Sequence, residues 1–296
     1  MYVNGLVNNY QTDNIDESVH SGIPKKFYHM KSKNFGNWEI APWELFIFKD
    51  RKIGEGAFSD VYLAKWRETF VVAKVLNEIS LQLKTELILR EIDIMSKLHH
   101  PNIVQFLGFI DNPFIIVMEY IPNNDLKFNM KSLNKSNKIN IMKDILKGLS
   151  YLHNRRPYSL IHRDIKPTNI ILTNSKVAKI TDFGLSKFYN ITKSASFSDL
   201  NLAELYNNEL TANVGTERYM APEIKNNEKY TNKIDIYSTG ILLYEMFEGK
   251  KYNLDGNNSW FWTPKKIRNI IKDYMICQDP EKRYTALMIL KLLNDY

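Results

Sequence analysis

The run His162-Arg163-Asp164-Ile165-Lys166-Pro167-Thr168-Asn169 limits what this chain can fold into more than any other feature. Five fixed residue types at set spacing would arise by chance in roughly one such chain in ten thousand, if each type is about a twentieth of usage. A purely structural role is hard to sustain, because three of the side chains suit one kind of chemistry. Asp164 can accept a proton from a hydroxyl, Lys166 can neutralise charge on a transferring phosphoryl group, and Asn169 offers a neutral oxygen to a hard cation. Asp182-Phe183-Gly184, behind a short apolar strand at 177–180, adds a second carboxylate ready for a metal ion. Taken singly, that tripeptide also reads as a plain turn.

Two features upstream fit the same chemistry. Ile53-Gly54-Glu55-Gly56-Ala57-Phe58-Ser59-Asp60-Val61 sets two glycines between β-rich runs, where missing Cβ atoms let backbone N–H groups approach phosphate oxygens. An ordinary hairpin would also explain them, and Ser59 stands where a third glycine would complete the pattern. Strands on both sides argue against the dinucleotide-binding form, in which a helix follows at once, and favour a flap over a nucleotide. In Val72-Ala73-Lys74 one lysine interrupts an apolar strand, where an unpaired ammonium is costly to bury. Glu91, in the helix that follows, is the best partner. The plain alternatives are an edge lysine reaching solvent and a surface glutamate beside Arg90 and Asp93.

The 296-residue chain is 44% hydrophobic and 25% charged, which excludes collagen, coiled coil and wholesale disorder. A chain of this length buries roughly 75% of its unfolded surface, enough for two lobes sharing a cleft. Lys and Arg number 40 against 33 Asp and Glu, and the resulting +7 suits polyanionic ligands without requiring them. No aromatic-basic stripe or zinc spacing points to nucleic acid, which is therefore not expected as a partner. The single cysteine, Cys277, can form no internal disulfide, which points to a reducing intracellular compartment, the cytoplasm. Residues 1–11 lack a basic start and an apolar stretch, and no run approaches about 18 apolar residues. Neither a secretion signal nor a membrane span is expected.

Residues 1–45, rich in Asn, Ser and Asp and without a period, read as a loosely ordered extension. Strands are expected at 46–53, 61–65 and 70–76 as an antiparallel meander, and again at 103–109 and 114–118. Leu83, Leu87, Arg90, Ile94 and Leu98 have helical spacing, and that helix must stop before Pro101. Beyond Pro122 the pattern predicts helices at 136–153, 234–247, 264–276 and 285–293, the last with Thr285 as N-cap. The division falls between an N-lobe at 46–120 and a C-lobe at 121–296. The Asn- and Ser-rich stretch at 189–213 reads as a long, mobile loop.

Together these motifs resemble a eukaryotic-type protein kinase over residues 46–293. The resemblance implies an α+β, bilobal protein kinase fold, with a small antiparallel β-sheet N-lobe carrying one key helix and a mostly helical C-lobe. It implies transfer of the γ-phosphate of ATP to protein hydroxyls with Mg²⁺ or Mn²⁺. On the family pattern the nucleotide would meet Ile53, Gly54, Gly56, Ser59 and Val61 in the flap, Ala73 and Lys74 in the next strand, the gatekeeper Met118, and backbone of Glu119 and Ile121. Asp164, Lys166, Lys74 and Glu91 would be the catalytic set, and Asn169 and Asp182 the metal ligands.

Gly215-Thr216-Glu217-Arg218-Tyr219-Met220-Ala221-Pro222-Glu223 resembles the end of the family's activation segment. By the same likeness Glu223 would pair with Arg283, and Asp235 would brace the catalytic loop. Lys166-Pro167-Thr168 and Thr216 resemble the serine/threonine class. Trp38-Glu39-Ile40 and Leu98-His99-His100-Pro101-Asn102-Ile103-Val104 are similar to its tyrosine-kinase-like branch. The partners implied are protein substrates with Ser/Thr acceptors, and an upstream kinase or autophosphorylation acting on Ser194, Ser196, Ser198 or Thr211, with Arg163 gripping the phosphate.

Three departures stand out: Ser59 for glycine, a long segment from Asp182 to Glu223, and a stretch from Gly249 to Asp279 short enough to put one substrate-docking helix in question. The rival from another class is a pseudokinase scaffold. Lys74, Glu91, Asp164, Asn169 and Asp182 are all present, which speaks against it.

Overall fold

Alternation of apolar residues sets the first sheet, and its two faces have different fates. The computed structural model describes residues 38–55, 59–76, 91–156, 158–190 and 217–294. Strands β1 (Leu45–Glu55), β2 (Ser59–Trp66), β3 (Thr69–Leu76), β4 (Phe106–Asp111) and β5 (Phe114–Glu119) form an antiparallel sheet ordered β1-β2-β3-β5-β4. Ile40–Tyr296 forms one compact unit; of the other, Met1–Glu39, only Trp38 and Glu39 are described.

One face of the sheet is closed by its own N-terminal flank. Ala64, Val71, Ala73, Ile115 and Val117 pack with Ile40 and Leu45, and the Ile40 N–H donates to Phe109 O at 2.8 Å. Successive strand residues point to opposite faces, so Val72, Lys74, Ile116 and Met118 project from the other side. Register aligns Gly54 with Val61, Val61 with Lys74, and Lys74 with Ile116 across four strands. The second face thus carries the lysine toward the helical part of the molecule.

Below the sheet come helices α1 (Leu126–Asn129) and α2 (Lys135–His153), strands β6 (Tyr158–Ile161), β7 (Ile170–Leu172), β8 (Ala178–Ile180) and β9 (Lys187–Asn190), and helices α3 (Pro222–Lys225), α4 (Lys233–Glu248), α5 (Lys265–Tyr274) and α6 (Ala286–Asn294). Asn134 caps α2 by accepting the Asn137 N–H at 2.8 Å. The α2 stripe Ile141, Ile145, Leu149 and Leu152 is fully buried, each such side chain contributing about 1.5–3 kcal/mol. Helix α4 is buried along its length, including Asp235, Thr239, Glu245 and Glu248, and ends at Gly249, whose φ of 70° favours glycine. Thr285 caps α6, its hydroxyl accepting the Met288 N–H at 3.3 Å.

Several boundaries differ from the sequence expectation. The strand expected from residue 103 starts at Phe106, because residues 102–104 instead join β8: Ile180 N donates to Asn102 O and Val104 N to Ile180 O, both at 2.9 Å. Tyr189 and Asn190, expected in a loop, end β9, which pairs with β6; the remainder of that loop lies outside the described residues. The helix spacing of Leu83, Leu87 and Arg90 also falls outside them, while residues 91–95 are helical and Ile94 and Leu98 are buried. Between Gly249 and Asp279 the only helix is α5, and residues 250–264 form none.

Candidate active site

The helix at 91–95 delivers Glu91 to β3, where Lys74 Nζ lies 2.8 Å from Glu91 Oε1 and 3.5 Å from Asp182 Oδ1. The lysine links sheet, helix and the segment after β8. Burial disfavours its charge, yet the carboxylates of Glu91 and Asp182 outweigh that, and the ammonium is held well above its ordinary pKa. For Asp182, desolvation likewise opposes ionisation, and Lys74 and Lys166 reverse the balance, so its pKa is lowered. A carboxylate kept ionised, with a side chain 47% exposed, is suited to a cation.

Backbone conformation aims this carboxylate. Asp182 has φ 64°, a left-handed geometry that costs a non-glycine residue about 1–3 kcal/mol. Phe183, 1% exposed, anchors it by packing edge-on against His162 with ring centroids 5.0 Å apart. His162 Nε2 lies 3.0 Å from Thr181 O, and the Asp164 N–H points at Nδ1 from 3.2 Å. A carbonyl can only accept and an amide N–H only donate, which fixes the tautomer with hydrogen on Nε2.

Asp164 and Asn169 lie at the two ends of one short loop. Asn169 Nδ2 donates to Asp164 O and to Asp164 Oδ2, both at 2.8 Å, and Lys166 Nζ lies 2.8 Å from the same Oδ2. The amide nitrogen thus faces Asp164, and the carboxamide oxygen is the atom Asn169 can present to a cation. Thr181 N donates to Asn169 O at 3.0 Å, which ties this loop to the Asp182 turn.

Two buried ion networks hold the frame. Asp235, fully buried in α4, accepts the His162 N–H at 2.9 Å and the Arg163 N–H at 2.8 Å, and His153 Nε2 lies 2.8 Å away. Burial raises its pKa, and the His153 bond and neighbouring donors bring it below the ordinary aspartate value. Arg283, 1% exposed, binds Glu223 in bidentate fashion at 2.6 and 2.9 Å and donates to the carbonyls of Cys277, Gln278 and Lys233.

The remaining nucleotide positions divide. Gly54, Val61 and Met118 lie on the face of Lys74, and Ser59 opens β2 opposite Leu76. Ile53 is 49% exposed beside the β1 irregularity, Ile121 is half-buried after β5, and Gly56 lies outside the described residues. The Glu119 side chain is tied to Lys179 and the Gln105 N–H, and its own N–H donates to Gln105 O.

Ala73 is not brought to this face. It packs in the core on the opposite side of the sheet, because neighbouring strand residues point opposite ways. Val72, two residues before Lys74 and paired with Met118, takes the place; counting by two from the lysine would have found it. Arg163 sends Nε to Leu185 O and Nη1 to Tyr230 Oη at 3.2 Å, and Ser194, Ser196, Ser198 and Thr211 lie outside the described residues.

The lysine, the two aspartates and the asparagine thus stand between the sheet and the helical part, an arrangement suited to phosphoryl transfer. The sequence profile of the protein kinase domain matches residues 48–293, and the chain belongs to the protein kinase family. It is 38% identical over 223 residues to serine/threonine-protein kinase VIK of Arabidopsis thaliana, covering 72% of this chain and 48% of that protein. Serine/threonine-protein kinase 12 of the same plant is 32% identical, with 75% and 47% covered, and serine/threonine-protein kinase CTR1 is 35% identical, with 69% and 24% covered. The chain thus spans about half, or less, of the length of the curated relatives it matches.

Proposed function

We propose that this chain is an ATP-dependent serine/threonine protein kinase of the tyrosine-kinase-like branch, with its catalytic unit at residues 46–296. The clustering of Lys74 with Glu91 and Asp182, and of Asp164 with Asn169 and Lys166, carries the reading. Phosphoryl transfer asks mainly for positioning and for neutralising charge on the phosphate oxygens. Lys74, pre-set by Glu91, would hold two phosphates of ATP. Lys166 steadies the terminal phosphate.

The donor set fits Mg²⁺ or Mn²⁺. Asp182 offers a carboxylate kept ionised and Asn169 a neutral carboxamide oxygen, the hard oxygen ligands such ions take. The bound ion supplies neutralisation of the phosphate charge and a template for in-line geometry. Asp164 Oδ2 is bound by Asn169 and Lys166, which leaves Oδ1 to receive the proton of a Ser or Thr hydroxyl.

The partners are protein substrates. Phosphorylation of the activation segment, by an upstream kinase or by the chain itself, belongs to the same proposal, as does a cytoplasmic location. The single cysteine, Cys277, which can form no internal disulfide, supports the latter. The test is transfer from γ-labelled ATP to a generic basic protein, followed by identification of the modified hydroxyl. Divalent-ion-dependent phosphoserine or phosphothreonine is expected; phosphotyrosine alone, or no transfer, contradicts the proposal.

A further inference from the structure

The stretch between α4 and α5 is a loop whose aromatic tip is held outward. Glu248, the buried last residue of α4, turns its carboxylate to three consecutive amides: Phe261 N at 2.8 Å, Trp262 N at 3.2 Å and Thr263 N at 2.9 Å. The Thr263 hydroxyl donates to it as well. Trp260 packs edge-on against Tyr244, with centroids 4.7 Å apart, and closes the base of the loop. With its backbone fixed in this way, the loop leaves Phe261 and Trp262 each 76% exposed, forgoing burial that such rings normally gain.

The sequence on either side of the tip is basic. Residues 250–266 contain Lys250, Lys251, Lys265 and Lys266 against a single carboxylate, Asp255. Lys250 Nζ sits 5.2 Å from the centroid of Phe261, so cation and ring share one surface. Rings this exposed offer no groove, whereas peptides are recognised in grooves or along strand edges. An exposed Trp and Phe, with Lys250 against one ring and three more lysines close by in sequence, complement an extended anionic surface, where rings enter the headgroup layer and lysines meet lipid charge.

We propose that the 250–264 loop, with the lysines that open α5, docks this protein peripherally on membranes rich in anionic lipid, with Phe261 and Trp262 as the inserting residues. Among the described residues no helix is long and apolar enough to cross a membrane, so the loop would act by surface attachment.

Flotation of the full chain with phosphatidylcholine vesicles, and with vesicles in which part of that lipid is replaced by phosphatidylserine, tests this. Binding is expected only to the phosphatidylserine vesicles and should weaken with salt. Phe261→Ser/Trp262→Ser and Lys250→Glu/Lys251→Glu should each reduce it about tenfold or more while leaving the thermal midpoint in place. Equal binding to both vesicle types, or binding that neither variant reduces, overturns the proposal. So does retention on immobilised poly-glutamate without vesicle binding, which assigns an acidic protein partner. Dimerisation in sedimentation that both variants abolish, without vesicle binding, overturns it in favour of a second copy.

Discussion

The carboxylate of Asp235 holds Arg163 by its backbone, Oδ1 accepting the amide at 2.8 Å across 72 residues of sequence. Arg163 has φ 71°, and its neighbour His162 donates to the other oxygen of the same carboxylate. A strained turn next to Asp164 is therefore fixed from a buried helix.

Asp235→Asn should weaken both fold and activity. The amide retains one acceptor, so one of the two N–H groups faces a donor, an unsatisfied buried contact worth about 1–3 kcal/mol. Urea unfolding and transfer rate should fall together. A variant with unchanged stability would show that the carboxylate does not brace the loop.

Acid should unfold the protein partly through the same residue. The folded-state pKa of Asp235 lies below the unfolded value of about 3.9, so its contribution is complete above that pH and is lost as pH falls through the folded value. Asp182 has the same sign. Stability measured from neutral pH down through 3 should show a shallower acid decline in Asp235→Asn than in the parent. Parallel curves would contradict this assignment.

Arg283→Met should destabilise by about 3–5 kcal/mol, because it leaves Glu223 buried without its partner, while Glu223→Met/Arg283→Met should recover part of that loss. Chemical denaturation of the three proteins makes the comparison. A single variant that loses less than about 1 kcal/mol would place the pair outside the stability account.

The two faces of β3 should separate binding from folding. Val72→Trp, on the face of Lys74 and Met118, should raise the KM for ATP about tenfold or more with little effect on Tm. Ala73→Leu, in the closed core, should cost about 1–3 kcal/mol through overpacking and leave KM near the parent value. The opposite pattern in steady-state kinetics and melting curves would reverse the assignment of faces.

What was legible in the sequence follows how local each signal is. The chemistry-bearing residues sit in short runs whose spacing is read directly, and helices such as α2 show their apolar stripe in any single window. Helix α4 is buried nearly all round, so its limits follow from its apolar run and the glycine that ends it. Sheet facing was less accessible: Val71, Val72 and Ala73 are all apolar, so no polar–apolar alternation marks a face among them, and only the count of two back from Lys74, which pairing with Met118 bears out, puts Val72 beside the lysine. The crossing of residues 102–104 to β8 and the grip of Glu248 on residues 261–263 are contacts between distant segments that no local pattern announces.

The most direct measurement is phosphoryl transfer by the full chain and its Asp164→Asn and Lys74→Met variants, with thermal unfolding alongside. The account predicts measurable transfer by the parent, a loss of about a hundredfold or more in each variant, and folded proteins throughout. Undiminished transfer in either folded variant would contradict it.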